Sequence, residues 1–140
     1  MREILFRGKR KDNGEWIEGS LVYYRNIISI IVHDERYYDS YGELPSFQVI
    51  PSTVGQYTGL TDKNGVKIFE GDIVSFTDCW DTQHKGVVHW WSGSYDVDCS
   101  KFDNEEYKDS VRLFTAYACG AEIIGNIHDN TELMEVNKND

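Results

Sequence analysis

The side chains best suited to metal chemistry fall in one stretch of the 140-residue chain: Cys79, Asp81, His84, His89 and Cys99. Thiolate, carboxylate and imidazole are the donors that hold zinc, and a tetrahedral site needs four of them to converge. Their spacing fits no finger or ribbon pattern, and no Cys-x-x-Cys pair is present. Asp81-Thr82-Gln83-His84 reads as a loop. His89 alternates with Trp90, so it shares a strand face with Val87 and Trp91, as a surface or packed ring would. No bound metal is expected. Nucleophilic chemistry has one candidate, Cys119 beside Gly120 with His128 further on. It would need a thiolate, a base in reach and donors for an oxyanion. The apolar run Leu113-Phe114-Thr115-Ala116-Tyr117-Ala118 before Cys119 favours a core thiol instead. No glycine-rich phosphate loop follows a strand, and the 24 acidic residues are too dispersed to locate a catalytic pair. The expectation is a chain without catalytic residues or cofactor, its three cysteines free thiols of a reducing compartment.

Aromatic residues give the clearer functional hint. Four Trp, nine Tyr and six Phe favour strands, and the clusters Trp90-Trp91 with Tyr95 and Tyr37-Tyr38 with Tyr41 exceed what a small core holds. In an alternating strand one of Trp90 and Trp91 must point away from the core of its own sheet. It is read as packing between subdomains, as an anchor in a protein interface, where Trp and Tyr are enriched, or as a contact to another ligand. The contact residues expected on the interface reading are Tyr37, Tyr38, Tyr41, Trp90 and Trp91. The alternative is a nucleic-acid surface built on Arg7, Lys9, Arg10 and Lys11 beside barrel aromatics, with bases stacked on the rings. A net charge of −10 and an isoelectric point near 4.7 oppose it, because such a surface repels phosphate. The simpler reading of that basic run is a solvated hairpin end.

The elements that would carry these residues are strands. Arg2–Phe6 alternates charged and apolar residues and reads as a first strand. Lys11-Asp12-Asn13-Gly14 is a turn leading into Glu15–Tyr24, which is expected to bend at Gly19. Arg25-Asn26 turns the chain into Ile27–His33, making the strongest hairpin signal in the sequence. Asp34–Ser46 is a loop, Phe47–Ile50 a short strand and Pro51–Val54 a connector with one helical turn. Beyond it, Ile73–Phe76, Lys85–Trp91, Ser94–Val97 and Ala121–Ile127 read as strands. Asn104–Lys108 reads as a loop or helical turn, Thr131–Met134 as a short capped helix, and Val136–Asp140 as a fraying end. No window shows the spacing of a long helix, and no apolar run approaches the roughly 20 residues of a membrane span. No apolar segment follows the opening Met1-Arg2-Glu3, so no secretory signal is expected.

Three motifs occur in order along nearly the whole chain. They are Met1-Arg2-Glu3-Ile4-Leu5-Phe6-Arg7-Gly8, the block from Gln56 to Val74 with Asp62-Lys63-Asn64-Gly65 and Glu70-Gly71-Asp72 at its turns, and Glu122-Ile123-Ile124-Gly125-Asn126-Ile127-His128-Asp129-Asn130. Together they resemble the YopX family, small proteins encoded mainly by bacteriophages and prophages. The family has no established biochemical activity, so the resemblance supplies no catalytic or ligand-binding residue. It implies mostly-β structure and a phage or prophage origin. The combined expectation is an N-terminal β-subdomain over residues 1–52 and an SH3-like β-barrel with a C-terminal tail over 53–140. Its function would be that of a cytoplasmic phage accessory protein, non-enzymatic, binding a protein partner or assembling with itself, away from membranes. Gly59, Gly65, Gly71 and Asp72 are expected to be structural.

Overall fold

The computed structural model describes residues 1–102 and 110–135. The loop or turn expected at 104–108 and the fraying expected of 136–140 lie outside the described residues. The chain divides into two compact units, residues 1–57 and 58–140.

The first unit is built from β1 (Phe6–Lys9), β2 (Trp16–Tyr24), β3 (Ile27–Val32), β4 (Ser46–Gln48) and the start of β5 (Gly55–Thr61). They lie in the order β4-β3-β2-β1-β5, antiparallel throughout. β1 begins at Phe6 and not, as expected, at Arg2. A hairpin's pairing is set from its turn outwards, and Gly14 N–H closes the turn on Arg10 O at 2.9 Å, so that Lys9 faces Trp16. The alternation places Ile17, Ile30, Val32 and Val49 in one buried cluster, with Phe6, Leu21, Phe47 and Tyr37 packed against it. At Gly19, where the sequence suggested a bend, the ladder register is continuous on both sides and another backbone approaches closely. This residue pairs with Phe6 on one side and Val32 on the other, and a Cβ there would stand 1.8 Å from Ile31 O.

β2 and β3 join through Arg25 and Asn26, both with positive φ of 50° and 63°, the conformation of a two-residue hairpin turn whose twist matches its strands. Asn tolerates it; Arg25 adopts it with its guanidinium 5.2 Å from the Tyr24 ring centre. The pairs Tyr23–Ile28 and Tyr24–Ile27 extend past the last residues matched by β1 and β4. The helical turn expected after Ile50 is a 3-10 turn, Pro51–Thr53.

In the second unit the end of β5 meets β6 (Lys67–Phe69), where Thr58 Oγ1 donates to Ile68 O at 2.8 Å. A second antiparallel sheet follows. It contains β7 (Asp72–Thr77), β8 (Gln83–Trp91), β9 (Ser94–Asp98), β10 (Val111–Arg112) and β11 (Glu122–Asn126), ordered β10-β9-β8-β7-β11. Among the described residues its ladder is open, ending at β10 and β11 without closing into a barrel. The core gathers Ile68, Val74, Phe76, Val88, Val97, Cys99 and Leu113. The apolar run ahead of Cys119 is a helix, α1 (Leu113–Ala118). Helical spacing buries Leu113 and Ala116 and turns Phe114 and Tyr117 outward, their rings 6.1 Å apart. α2 (Thr131–Glu135) is the expected short terminal helix. The mostly-β class read from the sequence is what the chain adopts.

The motif residues have structural work. Asp62 Oδ1 accepts from the N–H groups of Asn64 and Val66 at 2.8 and 3.0 Å, and its Oδ2 accepts from Ile123 N–H at 3.2 Å. Burial raises the pKa of this carboxyl, but the three amide hydrogen bonds outweigh it and hold the group below the ordinary range. Asn130 Oδ1 accepts from Asn126 N–H at 3.0 Å. It reaches that amide because Gly125 lacks a side chain: a Cβ there would lie 2.7 Å from the same oxygen.

Candidate functional site

The candidate metal donors point to different environments. His84 is buried on β8, its ring 5.2 Å from Phe76, with Nε2–H donating to Asp78 Oδ2 at 2.7 Å. Asp78 is the hub of the β7–β8 turn, its Oδ1 accepting from Trp80 and Thr82 N–H, both at 2.9 Å. The His84 bond first, then those backbone bonds, hold the Asp78 carboxyl below the usual carboxylate range. Cys99 is fully buried in the core, while Cys79 and Asp81 are exposed in the turn. Among the described residues no three His, Cys, Asp or Glu side chains are grouped to hold a metal. Cys119 is half-buried at the C-terminal end of α1, its N–H bonded to Thr115 and Ala116 carbonyls, and His128 lies in the turn after β11.

The basic run is divided by strand alternation. Arg7 and Lys9 lie over the Trp16 ring, 4.8 and 5.4 Å from its centre. Arg10 points the other way, onto Phe47 at 3.8 Å, with Nε and Nη2 donating to the Asp12 carboxylate at 2.9 and 2.6 Å. Lys11 is exposed in the turn. The four cations therefore form no single face.

The aromatic residues also sort themselves. Tyr37 packs on the first core, edge-on to Phe47, and its hydroxyl donates to Glu15 Oε1 at 2.9 Å. Tyr38 is exposed, and Tyr41 is 88 % exposed in the loop ahead of β4. Trp90 and Trp91 are 55 and 63 % exposed on adjacent, oppositely directed positions of β8. The part of β8 that carries them runs past the last residue paired with β7 and is matched by β9 alone, Trp90 with Tyr95 and Trp91 with Ser94. Trp90 meets Tyr95 edge-on at 4.8 Å, and Trp91 lies nearly parallel to His89 at 6.2 Å. The turn that follows them, Ser92-Gly93, has positive φ at both positions, like Arg25-Asn26. Each unit thus carries a long hairpin with exposed rings at its tip.

Sequence reasoning missed several exposed rings: Tyr23, Tyr24, Trp80, Phe114 and Tyr117. Two signals were available for them. A two-residue turn at the end of a strand longer than its neighbours leaves the tip rings uncovered, and Asp78 followed by Trp80 is a side-chain-closed turn that carries its middle residues outward.

The family model for the YopX protein matches residues 5–135. The chain belongs to the YopX family. It is also similar to the crystal structure of protein EF1440 from Enterococcus faecalis, with a TM-score of 0.59 and 25 % identity over 96 % of this chain and 100 % of that one. No curated protein matches the chain. The three motifs that carried the resemblance in the sequence contain Asp62, Gly125, Asn126 and Asn130 and none of the exposed aromatic tips. No helix among the described residues is long and apolar enough to cross a membrane.

Proposed function

We propose that the chain is a non-enzymatic accessory protein of phage or prophage origin, acting in the host cytoplasm by binding a protein partner or further copies of itself. We read its second unit as an SH3-like module that presents the contact residues. The observation that carries this reading is the Trp90-Trp91 pair. Burying one large aromatic side chain is worth about 1.5–3 kcal/mol, so leaving two adjacent indoles largely in water forgoes an appreciable part of a marginal stability. Exposed Trp and Tyr on a rigid ladder are the anchors that dominate protein interfaces. Tyr38 and Tyr41 are the corresponding contacts of the first unit, while Tyr37 serves its core.

Size exclusion with light scattering, alone and after incubation with host lysate, tests the reading. The expected result is a defined oligomer or one stoichiometric protein partner, lost in the Trp90→Ala/Trp91→Ala double variant with an unchanged far-ultraviolet spectrum. A monomer that captures no protein would overturn it.

A further inference from the structure

The face of the β8–β9 ladder opposite Val88 and Val97 is half-buried along its length and exposed at Trp91, and it has a composition of its own. Along β8 it carries Val87, His89 and Trp91, and directly across on β9 stand Asp98, Asp96 and Ser94. The Trp91 ring is stacked on His89 and remains largely exposed at the ladder tip. Ser94 Oγ donates to Asp96 Oδ1 at 2.9 Å, which fixes that carboxylate beside the indole strand. Burial raises the pKa of Asp98, yet the Ser100 hydroxyl and N–H and the nearby His89 leave it below the ordinary range, so it is ionised at neutral pH. In the same register Arg112 of β10 stands across from Asp96. This face already sets one of its acids opposite a cation.

Charge is unevenly divided between the units. Residues 1–57 hold seven Lys or Arg and eight Asp or Glu, while residues 58–140 hold seven and sixteen, so the units carry −1 and −9. The Trp91 face belongs to the second. We propose that it docks a lysine- or arginine-rich segment of a partner protein, one cation lying over the Trp91 indole and its neighbours meeting Asp96 and Asp98. An indole attracts cations through its quadrupole, and a field of this sign speeds the approach of a basic partner. The same field repels nucleic acid and a second copy of this unit, which leaves a basic protein segment as the occupant. The inference rests on the interaction reading above and adds the partner's chemistry.

The intact protein is titrated into a fluorescently labelled peptide alternating arginine with glycine, and into a glutamate–glycine peptide of equal length. The arginine peptide is expected to bind, more weakly as salt rises, and the glutamate peptide not to bind. Trp91→Ala, which leaves net charge unchanged, is expected to weaken binding about tenfold, the scale of a partly desolvated cation–π contact. Trp91→Phe should recover part of that loss. Trp80→Ala, at the opposite end of β8, should bind as wild type; circular dichroism establishes that each variant is folded. Equal binding by wild type and Trp91→Ala would mean attraction to net charge alone and would overturn the proposal, as would no binding at low salt. A lysate partner that depends on Trp90 and Trp91 but is not displaced by the arginine peptide would sink this inference and leave the interaction reading standing.

Discussion

At the scale of single residues, the backbone makes demands that only particular side chains meet. Gly19 is the sharpest case, because Ile31 O lies where a Cβ would stand. Gly19→Ala is expected to cost about 3 kcal/mol, as overpacking against an immovable backbone does, and to lower the urea midpoint without changing the slope. An unchanged midpoint would show that the strands separate at little cost. This close approach was legible in advance, since a glycine inside an otherwise regular strand marks a bulge or a close approach of another backbone. The role of Gly125 was not: its missing side chain matters because Asn130 folds back onto it across the turn after β11, and the sequence reading assigned that asparagine only to a helix cap. The separation of Arg7 and Lys9 from Arg10 was legible in principle, since alternation forces it. Counting cations in a row conceals that geometry.

At the scale of elements, hairpins were the readable part. The β2–β3 and β8–β9 pairs lie where alternating apolar residues and short turns placed them, because register and turn are local properties. The six-residue α1 escaped the sequence reading, since an apolar run that short carries too few turns to reveal its period. The two exposed tryptophans were foreseen only by half. Alternation required one to leave the core, and the overhang of β8 beyond β7 releases the second. The β7–β8 turn yields a prediction at this scale. Asp78 binds His84 and two turn amides as a carboxylate, and its pKa is lowered in the folded chain. A lowered folded-state pKa stabilises above the unfolded value, near 4, and that stabilisation is lost as pH falls through the folded value. Wild type should therefore melt above Asp78→Asn at pH 7, and the two should converge as pH falls below about 4. A melting difference that is constant across that range would exclude the carboxylate as its source.

At the scale of the whole molecule, the charge distribution governs behaviour. A net −10, nearly all of it in residues 58–140, stores self-repulsion that salt relieves. Raising sodium chloride from low to about 0.5 M shortens the screening length to a few ångströms. The melting temperature is then expected to rise by about 3 °C, roughly 1 kcal/mol for a chain of this size. A flat or falling melting temperature would mean that the acidic groups are already compensated by local hydrogen bonds, as Asp62 is. The β11 edge has a consequence for assembly. A terminal strand with vacant amides is a template on which another chain can add a strand. Two outward amides of β11, those of Ile123 and Asn126, are occupied by Asp62 and Asn130. Asp62 and Asn130 thus leave a strand from another copy two fewer amides to pair with at this edge.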